Sequence, residues 1–183
     1  WSPDGVPAST DDVSLTGAST IDINVAAVCR DITLNNAGLT LTVLTGNSLA
    51  ISGNITLTSG ALVGGAGTPI SVVGDWTNNG GTFTPATSTV SFTNTAAAQA
   101  IKGTAASQTF NAITVNKTGQ TLSVGGSTTT LTLNGTLTLT AGTFAAGTAT
   151  AINVAGDWTN NGGTFTPGSG TVTFNSTTAA QAI

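Results

Sequence analysis

The chain has 183 residues, a net charge of −4 and 24 glycines, and only 5% of it is charged, against about 25% for an average soluble protein. Three Lys and Arg cannot neutralise a phosphate track, which argues against nucleic acid, and no apolar run approaches the ~20 residues of a membrane-inserted helix. With no His, no Glu and no Tyr, the usual acid–base set shrinks to Asp, two Lys and one Cys, so no enzyme is expected.

The first stretch, WSPDGVPASTDD, holds two prolines and no apolar alternation. Residues 1–12 read as a capping or junction segment before a single domain at 13–183. The chain opens on Trp1 rather than Met, as a processed product or a piece of a longer polypeptide does. Asp11 and Asp12 form the densest acid pair, either a turn or a weak cation site at an interface.

From Val13 onward, β-branched or aliphatic pairs recur at i, i+2. They are Val13/Leu15, Ile32/Leu34, Leu49/Ile51, Ile70/Val72, Val90/Phe92, Ile113/Val115, Leu131/Leu133, Ile152/Val154 and Val172/Phe174. Residues i and i+2 share one face of a strand, so the chain returns about every 20 residues with the same side inward. A second apolar set follows each pair, as at Ile21/Ile23, Ile55/Leu57, Trp76, Leu137/Leu139 and Trp158. A third, sparser set includes Leu62, Phe83, Ile101, Phe144, Phe165 and Ile183. Asn and Gly clusters between the sets supply the positive φ that sharp corners need.

The segment GDWTNNGGTFTP occurs twice without change, at Gly74–Pro85 and Gly156–Pro167. Its offset of 82 residues defines a superrepeat that divides the domain into copies at about 28–109 and 110–183. Three short strands per coil, with an internal repeat, predict an all-β parallel β-helix, or β-solenoid, of about nine coils, right-handed by the usual crossover rule. An antiparallel β-sandwich is the rival fold, since short strands at this spacing fit it too.

The opening (Trp1, Ser-Pro, Gly-Val-Pro, then Asp-Asp-Val before a strand) and the later GDWTNNGGTFTPGSGTVTFN resemble bacterial secreted surface β-helix repeat proteins, of the autotransporter-associated and type IX-secreted kinds. The resemblance covers most of the chain. It implies a secreted, cell-surface β-solenoid within a longer polypeptide.

Each candidate site has two readings. Trp76 and Trp158, taken as four coils apart on one face, make either a sugar-stacking platform or core fillers. Asp75 and Asp157 read as corner residues bonded to local backbone N–H groups, too few for Ca²⁺. Asn78, Asn79, Asn160 and Asn161 read as corner stacks running from coil to coil. Cys29, aligned with Phe110 through CRDITLN and FNAITVN, is expected to be buried and inert. No cofactor or metal is expected. The expected partner is a further copy of the chain, head to tail through Trp1, Asp11, Asp12 and Ile183, with each subunit adding roughly 43 Å. A surface polysaccharide is the other partner considered. The expected function is thus a structural extracellular fibre, sheath or surface-layer unit, or else a carbohydrate-binding or adhesive stalk module.

Overall fold

A computed structural model describes residues 6–183. Among them there are nineteen strands, β1 (Val13–Leu15) to β19 (Thr171–Phe174), and no helix. Every strand pairing is parallel, including Val90 on Ile70, which excludes the antiparallel sandwich. The chain winds as a three-faced β-solenoid of about eight turns, close to the nine expected.

The first face stacks β1, the start of β4 (Ile32–Val43), the start of β6 (Ile55–Gly64), β8 (Trp76–Asn78) and β11 (Gln99–Gly103). It continues through the ends of β13 (Ala112–Val124) and β15 (Leu137–Ala145) to β18 (Thr164–Thr166). The second face stacks β2 (Thr20–Ile23), the ends of β4 and β6, and β9 (Thr82–Thr84). After a break it resumes with β12 (Ser107–Phe110), β14 (Thr130–Leu133), β16 (Ala151–Val154) and β19. The third face stacks β3 (Ala27–Cys29), β5 (Leu49–Ile51), β7 (Pro69–Val72), β10 (Thr89–Phe92), the starts of β13 and β15, and β17 (Trp158–Asn160). The strands β4, β6, β13 and β15 each bend round a corner and serve two faces.

Alternation does the sorting. In β4, Ile32, Leu34, Leu39, Leu41 and Val43 turn inward and are buried, while Thr33, Thr40 and Thr42 face out. The same pattern in each coil threads one apolar column through the molecule, from Val13 to Val172. Each strand borrows its backbone partners from the coils above and below, so no coil is satisfied alone.

The nine pairs do not form one sheet. Val13/Leu15 and Ile32/Leu34 belong to the first face, the next four pairs to the third, and the last three to the second. The cause is the length of the turn. Stacked residues on the first face run Val13, Ile32, Ile55, Trp76 and Ile101, steps of 19, 23, 21 and 25 residues. The true turn exceeds the 20-residue return, so the series slips back one face at a time. The 82-residue repeat spans three and two-thirds turns, not four. Its second copy is therefore rotated by two faces: Ile70 lies on the third face and Ile152 on the second.

Gly103 shows how tightly coils approach. It stacks on Asn78 with φ +128°, and an added Cβ would sit 2.0 Å from the Asn78 carbonyl oxygen. Gly103→Ala is expected to cost at least about 2 kcal/mol, a fall in Tm of ~4–8 °C in a thermal melt. An unchanged Tm would contradict this stacking.

Candidate functional site

Four Asx residues stand immediately before first-face strands: Asp12, Asp31, Asn54 and Asp75. Their side chains form a ladder up one corner. The Asp31 N–H donates to Asp12 Oδ1 (3.4 Å), the Asn54 N–H to Asp31 Oδ1 (2.5 Å), the Asp75 N–H to Asn54 Oδ1 (2.9 Å) and the Ala100 N–H to Asp75 Oδ1 (2.8 Å). Each oxygen meets a backbone donor that the corner removes from the strand ladder. Arg30 pairs with Asp12, holding its carboxyl below the usual range, and Lys102 Nζ lies 2.5 Å from Asp75 Oδ2. Asp75 thus bonds the next coil, not only its own turn. Asp157 repeats the contact, accepting the Ala182 N–H at 2.9 Å.

Asp11 alone closes a turn, its N–H donating to the Ala8 carbonyl and its Oδ2 accepting the Ala8 N–H, while Asp12 pairs with Arg30. Among the described residues no three His, Cys, Asp or Glu gather as a metal site. Trp1 lies outside the described residues. Ile183 is exposed.

The Asn residues do not stack coil on coil. Asn78 and Asn160 fold onto their own turns, accepting the N–H groups of Gly80 (3.0 Å) and Gly162 (3.1 Å). The coil above Asn78 offers only Gly103, which has no side chain to stack on it. Asn79 does reach upward, accepting the Thr104 N–H at 3.2 Å, and Asn161 donates its backbone N–H to the Leu139 carbonyl.

Trp76 and Trp158 face inward, 1% and 9% exposed, on the first and third faces respectively. They form no common outward platform, because the repeat turns two faces between them. Each packs edge-on to the phenylalanine seven residues later, at 4.8 Å in both copies. A third ring stands by each, Phe110 at 4.9 Å from Trp76 and Phe174 at 6.1 Å from Trp158.

Between β9 and β12 the second face carries no strand pairing, although β8–β11 and β10–β13 are paired on either side. The opening holds a cavity of about 210 Å³, lined by Trp76, Phe83, Phe110, Asn78 and Gln108, with Thr82 and Ser107 exposed at its rim.

A buried polar clamp is not signalled by the apolar alternation. Gln99 Nε2 donates to the carbonyls of Val72 (3.0 Å) and Gly74, while its Oε1 accepts the Asn94 N–H (3.1 Å). Gln181 repeats these bonds with Val154, Gly156 and Ser176. Its sequence signal is AQAI, which occurs at Ala98–Ile101 and again at Ala180–Ile183. Above Gln99, fully buried Lys117 donates to Gln99 Oε1 (2.7 Å) and to the carbonyls of Asn94 (2.8 Å) and Ala97 (3.0 Å). Lys117 stands isolated in the sequence, yet it ties together the loop between β10 and β11.

No family model, curated protein or solved structure matches the chain.

Two buried titrations give opposite pH dependences. Burial pushes Lys117 down from 10.5 to about 8, with Asp75 pulling the other way. The unfolded chain then binds more protons between these values, so stability rises with pH from about 8. Burial, then the charges of Asp31 and Asp12, push Cys29 up from 9.0 to about 11, so its contribution is lost as pH rises above 9. Tm is expected to rise between pH 8 and 9 and then flatten. Lys117→Met should abolish the rise and, by leaving the Asn94 and Ala97 carbonyls without this donor, cost about 2 kcal/mol. A rise that persists in Lys117→Met would refute the assignment.

Cys29 is 2% exposed, which agrees with the expectation of a buried thiol. Labelling of the native protein by a thiol reagent should proceed only at the rate of opening, many-fold slower than in denaturant. Immediate labelling would place the thiol outside the core.

Proposed function

We propose that this chain is a structural extracellular β-solenoid, a unit of a fibre, sheath or surface layer that assembles end to end with further copies of itself. The observation that carries the reading is the open core at the first coil. An apolar cavity of about 320 Å³ there reaches core residues Val13, Leu15, Ile23, Cys29, Ile32 and Leu41. Val6, Val25 and Val28 are exposed around the same end. The opposite end offers a matching kind of surface: Trp158 and Phe165 line the last turns, and Phe174 is 37% exposed. That last coil repeats the β8–β10 segment, which inside the molecule carries another coil in parallel register. Among the described residues the outermost strands leave parallel edges that are templates for a further coil, of this polypeptide or of another copy, and a head-to-tail contact between copies that does not close gives an open filament. The resemblance to secreted surface repeats, and three Lys and Arg in 183 residues, which leave few sites for trypsin-like proteases, support a place outside the cell.

Negative-stain microscopy and sedimentation of the chain 1–183 test the reading. Filaments or linear oligomers are expected, with an axial repeat of about 38 Å for eight turns at ~4.8 Å. Val28→Lys, at the open end, should shift the population toward monomer. Monodisperse single particles at high concentration would rule out self-assembly and leave the fold standing. The carbohydrate-binding or adhesive module remains the alternative. Burial of both tryptophans leaves it without the outward platform that it would need.

A further inference from the structure

We infer that Lys117 and Gln99 join in an intramolecular isopeptide bond, Lys117 Nζ displacing the side-chain nitrogen of Gln99 as ammonia. The inference does not depend on end-to-end assembly.

Lys117 carries a charge into the core without a counter-charge. Among the described residues no carboxylate stands within ion-pair distance of it; Asp12 and Asp75 pair with Arg30 and Lys102 instead. Its partners are two backbone carbonyls and the Gln99 amide oxygen. Hydrogen bonds of that kind offset only part of the cost of burying an ammonium. Nor does the clamp need the lysine. Gln181 makes the corresponding bonds to Val154, Gly156 and Ser176 with no lysine donating to it among the described residues.

The contact is that of a nucleophile on an amide. Nζ stands 2.7 Å from Gln99 Oε1, and with a C=O bond of about 1.23 Å it lies no more than about 3.9 Å from Cδ. A small side-chain rotation brings that to the ~3–3.5 Å of a near-attack arrangement. The Asn94 N–H also donates to Oε1, at 3.1 Å, so the oxygen has a fixed backbone donor for the charge that it gains. Nε2 donates to the carbonyls of Val72 (3.0 Å) and Gly74, which hold the amide plane in place. Burial lowers Lys117 to about 8, with Asp75 pulling the other way. Free amine is therefore present near neutral pH, where an exposed lysine has almost none.

The step balances within the chain. From the free amine, the Nζ lone pair attacks Cδ and the C=O π pair moves onto Oε1. The pair then returns, the Cδ–Nε2 bond breaks, and one Nζ proton passes to Nε2, which leaves as ammonia. No oxidant or co-reactant enters. Gly74, beside the leaving nitrogen, is partly exposed and gives the ammonia a way out. The product is a secondary amide between β11 and β13. The buried charge is gone, and the one remaining N–H still has the Asn94 or Ala97 carbonyl to meet. The bond closes a covalent loop from Gln99 to Lys117, which restricts the unfolded chain as a disulfide does. An amide nitrogen does not titrate, so the rise in Tm above pH 8 belongs to the chain before the bond forms.

Mass spectrometry of the full chain tests the inference. Held folded for several days above pH 8, the protein should become lighter by one ammonia. Tryptic digestion after unfolding should then fail at Lys117 and recover 31–102 joined to 103–183 as one product. Gln181 should stay a free amide, as the internal control. Lys117→Arg keeps the charge without the nucleophile and should keep its full mass. If that variant does not fold, the digest of the unsubstituted chain decides alone. A folded chain whose mass stays unchanged overturns the proposal. Loss of ammonia with cleavage at Lys117 intact also overturns it, and would mark succinimide formation at an Asn-Gly pair such as Asn79–Gly80 instead.

Discussion

The backbone hydrogen bonds between coils are what the rest of this structure depends on. Within a coil almost nothing is satisfied locally; each strand finds its partners one turn away. That constraint demands that every turn return an inward residue above the inward residue below it, as Ile32 stands on Val13 and Ile55 on Ile32. Strand segments meet it by alternation. Corners cannot, because the chain must leave the ladder to change direction. The Asx ladder supplies the missing acceptors at one corner, where the oxygens of Asp12, Asp31, Asn54 and Asp75 each receive an N–H from the next coil. Most of the described charge is gathered there for that reason, with Arg30 and Lys102 balancing it.

The interior accepts polar groups only where a loop must cross it. Gln99 and Lys117 lie in the core, where the ammonium commits its three protons to Asn94, Ala97 and Gln99. Burial of the charge opposes this arrangement and the three hydrogen bonds favour it, which is why the group titrates low without being expelled. The arrangement fixes the loop between β10 and β11 against the stack. Gln108 differs, since its network closes on the donor side and stays open on the acceptor side.

The strands and their inward faces were legible because period-two alternation survives any error in counting turns. Every pair from Ile32/Leu34 to Ile152/Val154 is buried, and only the outer turns depart from this: Val13, Leu15 and Val172 are half-buried against the same core, and Phe174 is exposed. What could not be read was which face each pair joins. The three faces are chemically alike, so nothing local separates Val90/Phe92, on the third face, from Val172/Phe174, on the second face. A turn of 19–25 residues against a return near 20 then drifts by a face without any local sign. The Asx ladder was legible in principle, as an Asp or Asn before four successive first-face strands. The clamp was legible as AQAI. The cleft was not, because it arises from β11 pairing downward through Ile101–Gly103 and upward through Gln99–Ile101. That two-residue slide is a property of the stack and not of any segment.

The two-thirds rotation has a consequence for how such a repeat can work. A repeat of four whole turns would place GDWTNNGGTFTP on one face again and again, building a row of equal sites. Here its indoles point in from different faces, so duplication adds length and core without adding a row. What it does preserve is local geometry: the Trp–Phe pair, the Asp contact to the coil above and the Gln clamp recur in both copies. Those are the contacts by which one coil receives the next. The unchanged segment is thus accounted for by contacts made inside the solenoid and not by a recurring outward face.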